Sequence, residues 1–199
     1  MPSLSACLGG AAMIEYVAFY EEWLPLPKAE FNVLAMVAEQ GGTYAGNYSD
    51  MCRYLNVTPQ TRNRELLRSA IESLTSKGFL ACEDRGRTRH LRVVPKEAEV
   101  KLPRLWVQSV IRHDYSSESV AAAQVLKVFV WIMQNRTEIV TNTMIAAELG
   151  ISESTVCSAK NVLQYEYENI CKSIRSEKWG DSFRRIGQEL VASAFWKEP

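Results

Sequence analysis

The chain has 199 residues, 47% of them hydrophobic and 23% charged, with no formal net charge at pH 7. These are ordinary values for a soluble globular protein of one sizeable domain or two small ones. They exclude a chain that is basic throughout, as phosphate binders usually are.

Met1–Ala12 is small and mildly apolar and lacks the basic start of a signal peptide. Residues 13–24 carry Ile14, Tyr16, Val17, Phe19, Tyr20, Trp23 and Leu24 ahead of Pro25 and Pro27. They read either as a short helix or as an extended arm that packs on something. A helix is predicted from Pro27 to about Gln40, because Phe31, Leu34, Val37 and Ala38 have helical spacing and Gly41-Gly42 stops it. A short helix follows over 48–55, with Asn56-Val57 as a turn.

Thr58 suits a helix N-cap and Pro59 a first helical residue. The helix they open has the apolar stripe Leu67, Ala70, Ile71 and Leu74 and ends at Lys77-Gly78. Phe79–Cys82 and Thr88–Val94 then read as two strands around a Gly-containing turn, with Leu91 and Val93 on one face and His90 and Arg92 on the other. The proline-bounded, charged segment 95–103 reads as a linker.

Beyond it, Leu105–Arg112 is a short helix and His113–Ser117 a polar break. Residues 118–135 form a helix apolar on nearly all sides, which requires burial. Its most apolar run, Val120–Met133, is too short to span a bilayer and includes Gln124 and Lys127, so no membrane partner is expected. Thr141–Leu149, the turn Gly150-Ile151 and a helix capped by Ser152 then repeat the earlier pattern. Ser49 aligns with Thr143, Leu55 with Leu149, Val57 with Ile151 and Thr58 with Ser152. Val156, Ala159 and Leu163 line the inner face of the last of these helices. Residues 164–196 read as further helix, with Phe183, Ile186, Leu190, Val191 and Phe195 at helical spacing.

Charge is distributed unevenly. Between residues 48 and 94 there are nine cations and five anions, an excess of +4 that the rest of the chain cancels. The cations fall where a helix-turn-helix would present them, since its second helix enters the major groove by its N-terminal end. Gln60, Thr61, Arg62, Asn63, Arg64 and Arg68 are the candidates there, because Arg pairs bidentately with guanine and Gln or Asn with adenine. Arg85, Arg87, Arg89 and His90, at and beside the strand turn, suit phosphates or an adjacent minor groove. In the second copy Ser154, Thr155, Ser158 and Lys160 are the corresponding candidates. There Glu153 would face phosphate, which repels it, and a dimerising or purely structural role weighs equally.

Catalysis finds little support, since no Walker loop, G-x-S-x-G or H-E-x-x-H occurs. The five cysteines, Cys7, Cys52, Cys82, Cys157 and Cys171, are scattered without a C-x-x-C pair, as expected of free thiols in a reducing cytoplasm. With only His90 and His113 as further soft ligands, no metal site and no cofactor are expected.

Phe19-Tyr20, Leu26-Pro27-Lys28, Leu55-Asn56-Val57-Thr58 and Leu74-Thr75-Ser76-Lys77-Gly78-Phe79-Leu80 together carry a resemblance. Over residues 19–94 the chain resembles the winged-helix domain of plasmid and phage replication initiators, and is similar also to mobile-element transcriptional regulators. The resemblance implies binding of double-stranded DNA, often as a homodimer. The expected fold is mainly α: an arm over 1–26, a winged helix-turn-helix domain over 27–94, a linker over 95–103 and a helical helix-turn-helix-like domain over 104–199. The expected function is that of a cytoplasmic, non-enzymatic, sequence-specific DNA-binding protein. The alternative is a module that grips a protein partner in a nucleic-acid machine.

Overall fold

The computed structural model describes residues 15–97, 99–135 and 141–173. Along them run β1 (Tyr16–Tyr20), a 3-10 turn (Glu21–Trp23), α1 (Lys28–Glu39), β2 (Thr43–Gly46), α2 (Tyr48–Tyr54) and α3 (Thr61–Ser76). These are followed by β3 (Leu80–Arg85), β4 (Thr88–Val93), β5 (Glu99–Pro103), α4 (Arg104–Arg112), α5 (Ala122–Gln134), α6 (Asn142–Leu149) and α7 (Glu153–Ser173). The strands form two antiparallel sheets, β1 with β5, and β2-β4-β3 in that spatial order.

The fold is thus mixed α and β. This corrects the expectation of a mainly α protein made of a winged helix-turn-helix domain and a second helix-turn-helix-like one. Among the described residues seven α-helices share the structure with five strands; local patterning did not reveal β2 and β5 and left β1 open between a helix and an extended arm. The reason is physical: β1, β2 and β5 are each four or five residues long and exist through pairing with distant chain.

The aromatic N-terminal segment is extended, not helical. In β1, Val17 lies opposite Leu102 and Phe19 opposite Val100 of β5. Val17, Phe19 and Leu102 are buried, so this strand closes part of the core. The segment expected as a linker therefore ends in a core strand, with Pro103 as its last residue, where a missing N–H does little harm.

Helix α1 is more central than one apolar stripe suggests. It buries Phe31, Val33, Leu34, Ala35, Met36 and Val37 and packs against α3, α4 and α5. Helix α5 is buried as its composition requires, but it begins at Ala122, where the Gln124 side chain accepts from the Ala121 N–H at 3.0 Å. Lys127 of α5 donates to the Leu26 carbonyl at 2.6 Å and lies over the Phe31 ring; burial lowers its pKa. Buried side chains from both halves form one continuous cluster, from Val17 to Leu163. No helix among the described residues is long and apolar enough to cross a membrane. The helix expected toward residue 196, with Phe183, Ile186, Leu190, Val191 and Phe195, lies outside the described residues beyond Ser173.

One carboxylate joins three helices. Glu39, at the end of α1, is fully buried and accepts from Arg104 Nε and Gln108 Nε2 of α4, each at 3.2 Å. It also accepts from Gln40 Nε2 at 2.6 Å and from the Tyr54 hydroxyl at the end of α2. Arg104 reaches Glu15 as well, at 2.7 Å, and its pKa is raised by the hydrogen bonds to Glu15 and then Glu39. A buried charge is tolerated only when so satisfied. Glu39→Gln, which removes the charge and half of the acceptor capacity, is expected to cost about 3 kcal/mol. In urea unfolding the midpoint should fall with an unchanged slope; an unchanged midpoint would show that the network contributes nothing to stability.

Candidate nucleic-acid interface

The helix pair α2 and α3 is set by its termini. Asn47 caps α2, its Oδ1 accepting from the Ser49 and Asp50 N–H groups at 2.8 and 3.0 Å. At the other end Asn56 takes a left-handed φ of +54°, while the Val57 N–H bonds to the Cys52 carbonyl and the Asn56 N–H to the Arg53 carbonyl. These two bonds make a Schellman closure, and Asn tolerates the left-handed position better than most residues with a Cβ. The next helix does not begin where Thr58 and Pro59 suggest. Gln60 is still extended, α3 starts at Thr61, and the Gln60 N–H and Asn63 Nδ2 both donate to the Thr58 carbonyl at 2.8 Å. Gly78, with φ +71°, ends α3 with the same closure, Phe79 N–H to Leu74 carbonyl.

Strands β3 and β4 form a hairpin with the two-residue loop Gly86-Arg87. Gly86 has φ +65°, which suits the twist of a two-residue hairpin turn. This loop fixes the register: Arg85 faces Thr88, Asp84 faces Arg89 and Glu83 faces His90. Successive residues alternate faces, so Arg85 and His90 lie on the opposite face of the hairpin from Arg89. His90 lines an open cavity of about 410 Å³ on the sheet with Thr43, Ala45, Ala81 and Arg92.

Arg89 turns toward the helices. Its Nε donates to the Tyr48 hydroxyl at 3.3 Å and its guanidinium lies 5.2 Å from the Tyr48 ring centroid. Arg68 of α3 lies 5.6 Å from the same centroid. One tyrosine at the start of α2 thus gathers a helix arginine and a hairpin arginine. The bond to Tyr48 is the main cause of a raised Arg89 pKa. Gln60, Thr61, Arg62 and Arg64 are exposed along the start of α3, and Asn63 is half-buried. Arg64 Nη2 lies 3.4 Å from Thr61 Oγ1, and Arg62, Arg64 and Arg68 make no ion pair among the described residues.

The hairpin cations are less free. Arg85 pairs with Glu83 at 2.9 Å and Arg89 with Asp84 at 2.8 Å. Arg87, in the loop itself, is exposed and makes no ion pair among the described residues. The sequence pattern singled out these arginines but not Tyr48 or the paired carboxylates. The Asp84–Arg89 pair becomes visible once a two-residue loop at Gly86-Arg87 sets the register.

The second copy keeps the scaffold and changes the surface. Thr141 caps α6 through Met144 N–H at 3.2 Å, Gly150 has φ +62°, and Ile151 N–H bonds to the Ala146 carbonyl. Cap, left-handed residue and closing bond recur at the same residue spacing as Asn47, Asn56 and Val57 to Cys52. Here α7 does start at the expected cap, Ser152 Oγ accepting from Thr155 N–H at 3.1 Å. Ser154 is exposed with its hydroxyl on Ser152, and Ser158 is bonded to Ser119 at 3.1 Å. Thr155 is half-buried against Ser152. Lys160 is only 6% exposed, inside the helical unit and away from any DNA-facing surface. Glu153 is turned onto Thr143 at 3.0 Å.

Elsewhere, His113 Nδ1 lies 2.7 Å from Glu166, which also accepts from Ser109. The carboxylate stands between serine and imidazole, so this is not a nucleophile–base pair. Burial raises the pKa of the Cys52 and Cys82 thiols, which opposes nucleophilic use. Among the described residues no group of three His, Cys, Asp or Glu is placed to hold a metal ion.

Comparison with protein-family models, with curated proteins and with solved structures finds no match to this chain.

The left-handed turn before α3 gives a direct test. Asn56→Gly should raise stability and Asn56→Ala should lower it by about 1 kcal/mol, because only glycine is free of the Cβ penalty there. Thermal unfolding should rank Gly above Asn above Ala; any other order would contradict the left-handed turn.

Proposed function

We propose that the protein binds double-stranded DNA, with the start of α3 in the major groove and the β3–β4 hairpin along the adjoining backbone. The observation that carries this reading is the convergence of Arg68 and Arg89 on Tyr48. It makes the helix and the hairpin one cationic face instead of two separate charge clusters. Major-groove recognition needs a rigid probe with bidentate donors, and phosphate contact needs cations at a fixed distance from it. Arg62 and Arg64 supply exposed donors on the first turn of a packed helix, with Gln60 just ahead of it; Arg68, Arg87 and Arg89 supply the flanking charge. The resemblance of residues 19–94 to plasmid and phage replication initiators and mobile-element regulators supports the same reading. It favours a cytoplasmic protein that acts on DNA in transcription or replication, often as a homodimer.

A second reading is a protein-interaction module. It is favoured by a cavity of about 1000 Å³ where Glu21, Glu22 and Glu148 surround Trp131, Met144 and Leu149. Acidic walls around an apolar floor suit a basic protein segment better than a phosphate backbone.

A gel-shift titration against mixed duplex fragments at two salt concentrations separates the two. DNA binding that weakens steeply with salt supports the first reading, and no shift at low salt supports the second. In the first case Arg62→Ala with Arg64→Ala should abolish discrimination between fragments. Arg87→Ala should reduce the salt slope by about 1 and weaken all fragments alike.

A further inference from the structure

The cations of α3 and of the two hairpin faces differ in availability, and the difference follows a pattern. The three arginines of α3 that face solvent, Arg62, Arg64 and Arg68, carry no carboxylate within ion-pair distance among the described residues. Of the three arginines within the hairpin strands, the two beside the loop each carry one, Arg85 with Glu83 and Arg89 with Asp84, while Arg92 at the far end of β4 carries none among the described residues. The Glu83 side chain is 70% exposed and that of Asp84 is 62% exposed, so both carboxylates can be displaced from the solvent side, while Arg89 itself is 20% exposed. Asp84–Arg89 is a cross-strand pair set by the loop, and Glu83–Arg85 lies two residues apart on one face of β3.

We propose that Glu83 and Asp84 are specificity-determining residues that occupy the hairpin arginines in place of DNA phosphate. The inference rests on the DNA-binding reading and adds to it. A free arginine gains a phosphate contact on binding and releases a counterion from the DNA. An arginine already held by a carboxylate merely exchanges one anion for another, and the displaced carboxylate is left near the polyanion. Apart from the unpaired Arg87, the hairpin arginines beside the loop then add little affinity for DNA of arbitrary sequence. Recognition falls instead on Gln60, Arg62 and Arg64, whose contacts depend on the bases. This also accounts for a cationic segment that carries two adjacent acids, Glu83 and Asp84, immediately before its turn.

The test compares three proteins: the full chain, E83Q/D84N, and E21Q/E22Q, which removes the same charge from the 3-10 turn. Glu83–Arg85 is exposed and contributes little to stability, and the largely covered Arg89 keeps its bond to Tyr48, so E83Q/D84N is expected to fold, and its thermal midpoint checks this. Affinity for a short duplex of random sequence is measured over a salt series, beside a duplex selected by the full chain from a random pool. E83Q/D84N should bind the random duplex on the order of tenfold more tightly, with a salt slope steeper by about 1 to 2. Its preference for the selected duplex should shrink by a similar factor. E21Q/E22Q should leave the slope and the preference unchanged.

Equal effects of the two double variants would overturn the inference in favour of a general net-charge effect. So would an E83Q/D84N slope identical to that of the unaltered chain, while the DNA-binding reading would stand. If neither the unaltered chain nor E83Q/D84N binds any duplex at low salt, the reading and the inference fall together.

Discussion

A carboxylate without solvent must be matched by donors, and in this protein that requirement falls on Glu39. Its partners come from the ends of other elements: Tyr54 closes α2, Arg104 opens α4, and Gln108 lies one turn further along α4. Satisfying one charge therefore fixes where α2 ends and how α4 leaves β5. From Tyr54 the chain has only the Asn56 turn and a short extended stretch before α3 begins. The orientation of the helix that carries Arg62 and Arg64 is in this sense inherited from a buried carboxylate at the end of α1. A second acid reinforces the arrangement, since Glu30 of α1 accepts from Ser73 at 2.9 Å and Lys77 at 2.7 Å, both on the chain of α3 and its cap. Neither acid serves DNA; both hold the helix that is proposed to meet it.

Much of the helical framework was legible from apolar spacing, and the hairpin from its glycine turn. The apolar 118–135 stretch was rightly read as buried, because a helix without a polar face has nowhere else to go. What stayed hidden depends on partners far along the chain. The stretch Glu-Val-Lys-Leu-Pro has the composition of a linker and becomes a strand because Val17 and Phe19 lie across from it. Thr-Tyr-Ala-Gly at β2 has no strand signal apart from β4 beside it. Thr58-Pro59 has good helix-start chemistry, yet the Thr58 carbonyl is taken by Gln60 and Asn63 and the helix begins later. For the candidate site, the arginines could be named from sequence but their environment could not. Lys160 looked like a surface cation and is buried, while Tyr48 looked like an ordinary helix residue and organises two guanidiniums.

The two copies of the helix-turn-helix pattern show which parts of a motif are scaffold and which are surface. Their caps and left-handed turns coincide, although Asn47 is replaced by Thr141 and Asn56 by Gly150, each a residue suited to that backbone position. The solvent-facing residues do not coincide: arginines on α3 stand against serines and Glu153 on α7. A conserved backbone solution with a divergent surface suits two units that share packing needs and differ in what they meet. The cavity beside α6, with Glu21, Glu22 and Glu148 around apolar side chains, further separates the surface of the second unit from the arginine-bearing start of α3.

The pairing of β1 with β5 also bears on the order in which the molecule can assemble. Its two strands are separated by roughly 80 residues, so joining them costs on the order of 4 kcal/mol in loop-closure entropy before the ladder returns anything. A chain emerging from the ribosome cannot cover Val17 and Phe19 until Pro103 has been made, and α1 must wait longer still for α5. The hairpin and the α2–α3 turn, by contrast, close over a few residues each. The local parts of the cationic face can therefore form early, while the apolar surfaces of β1 and α1 remain the last to be hidden and the first exposed to aggregation.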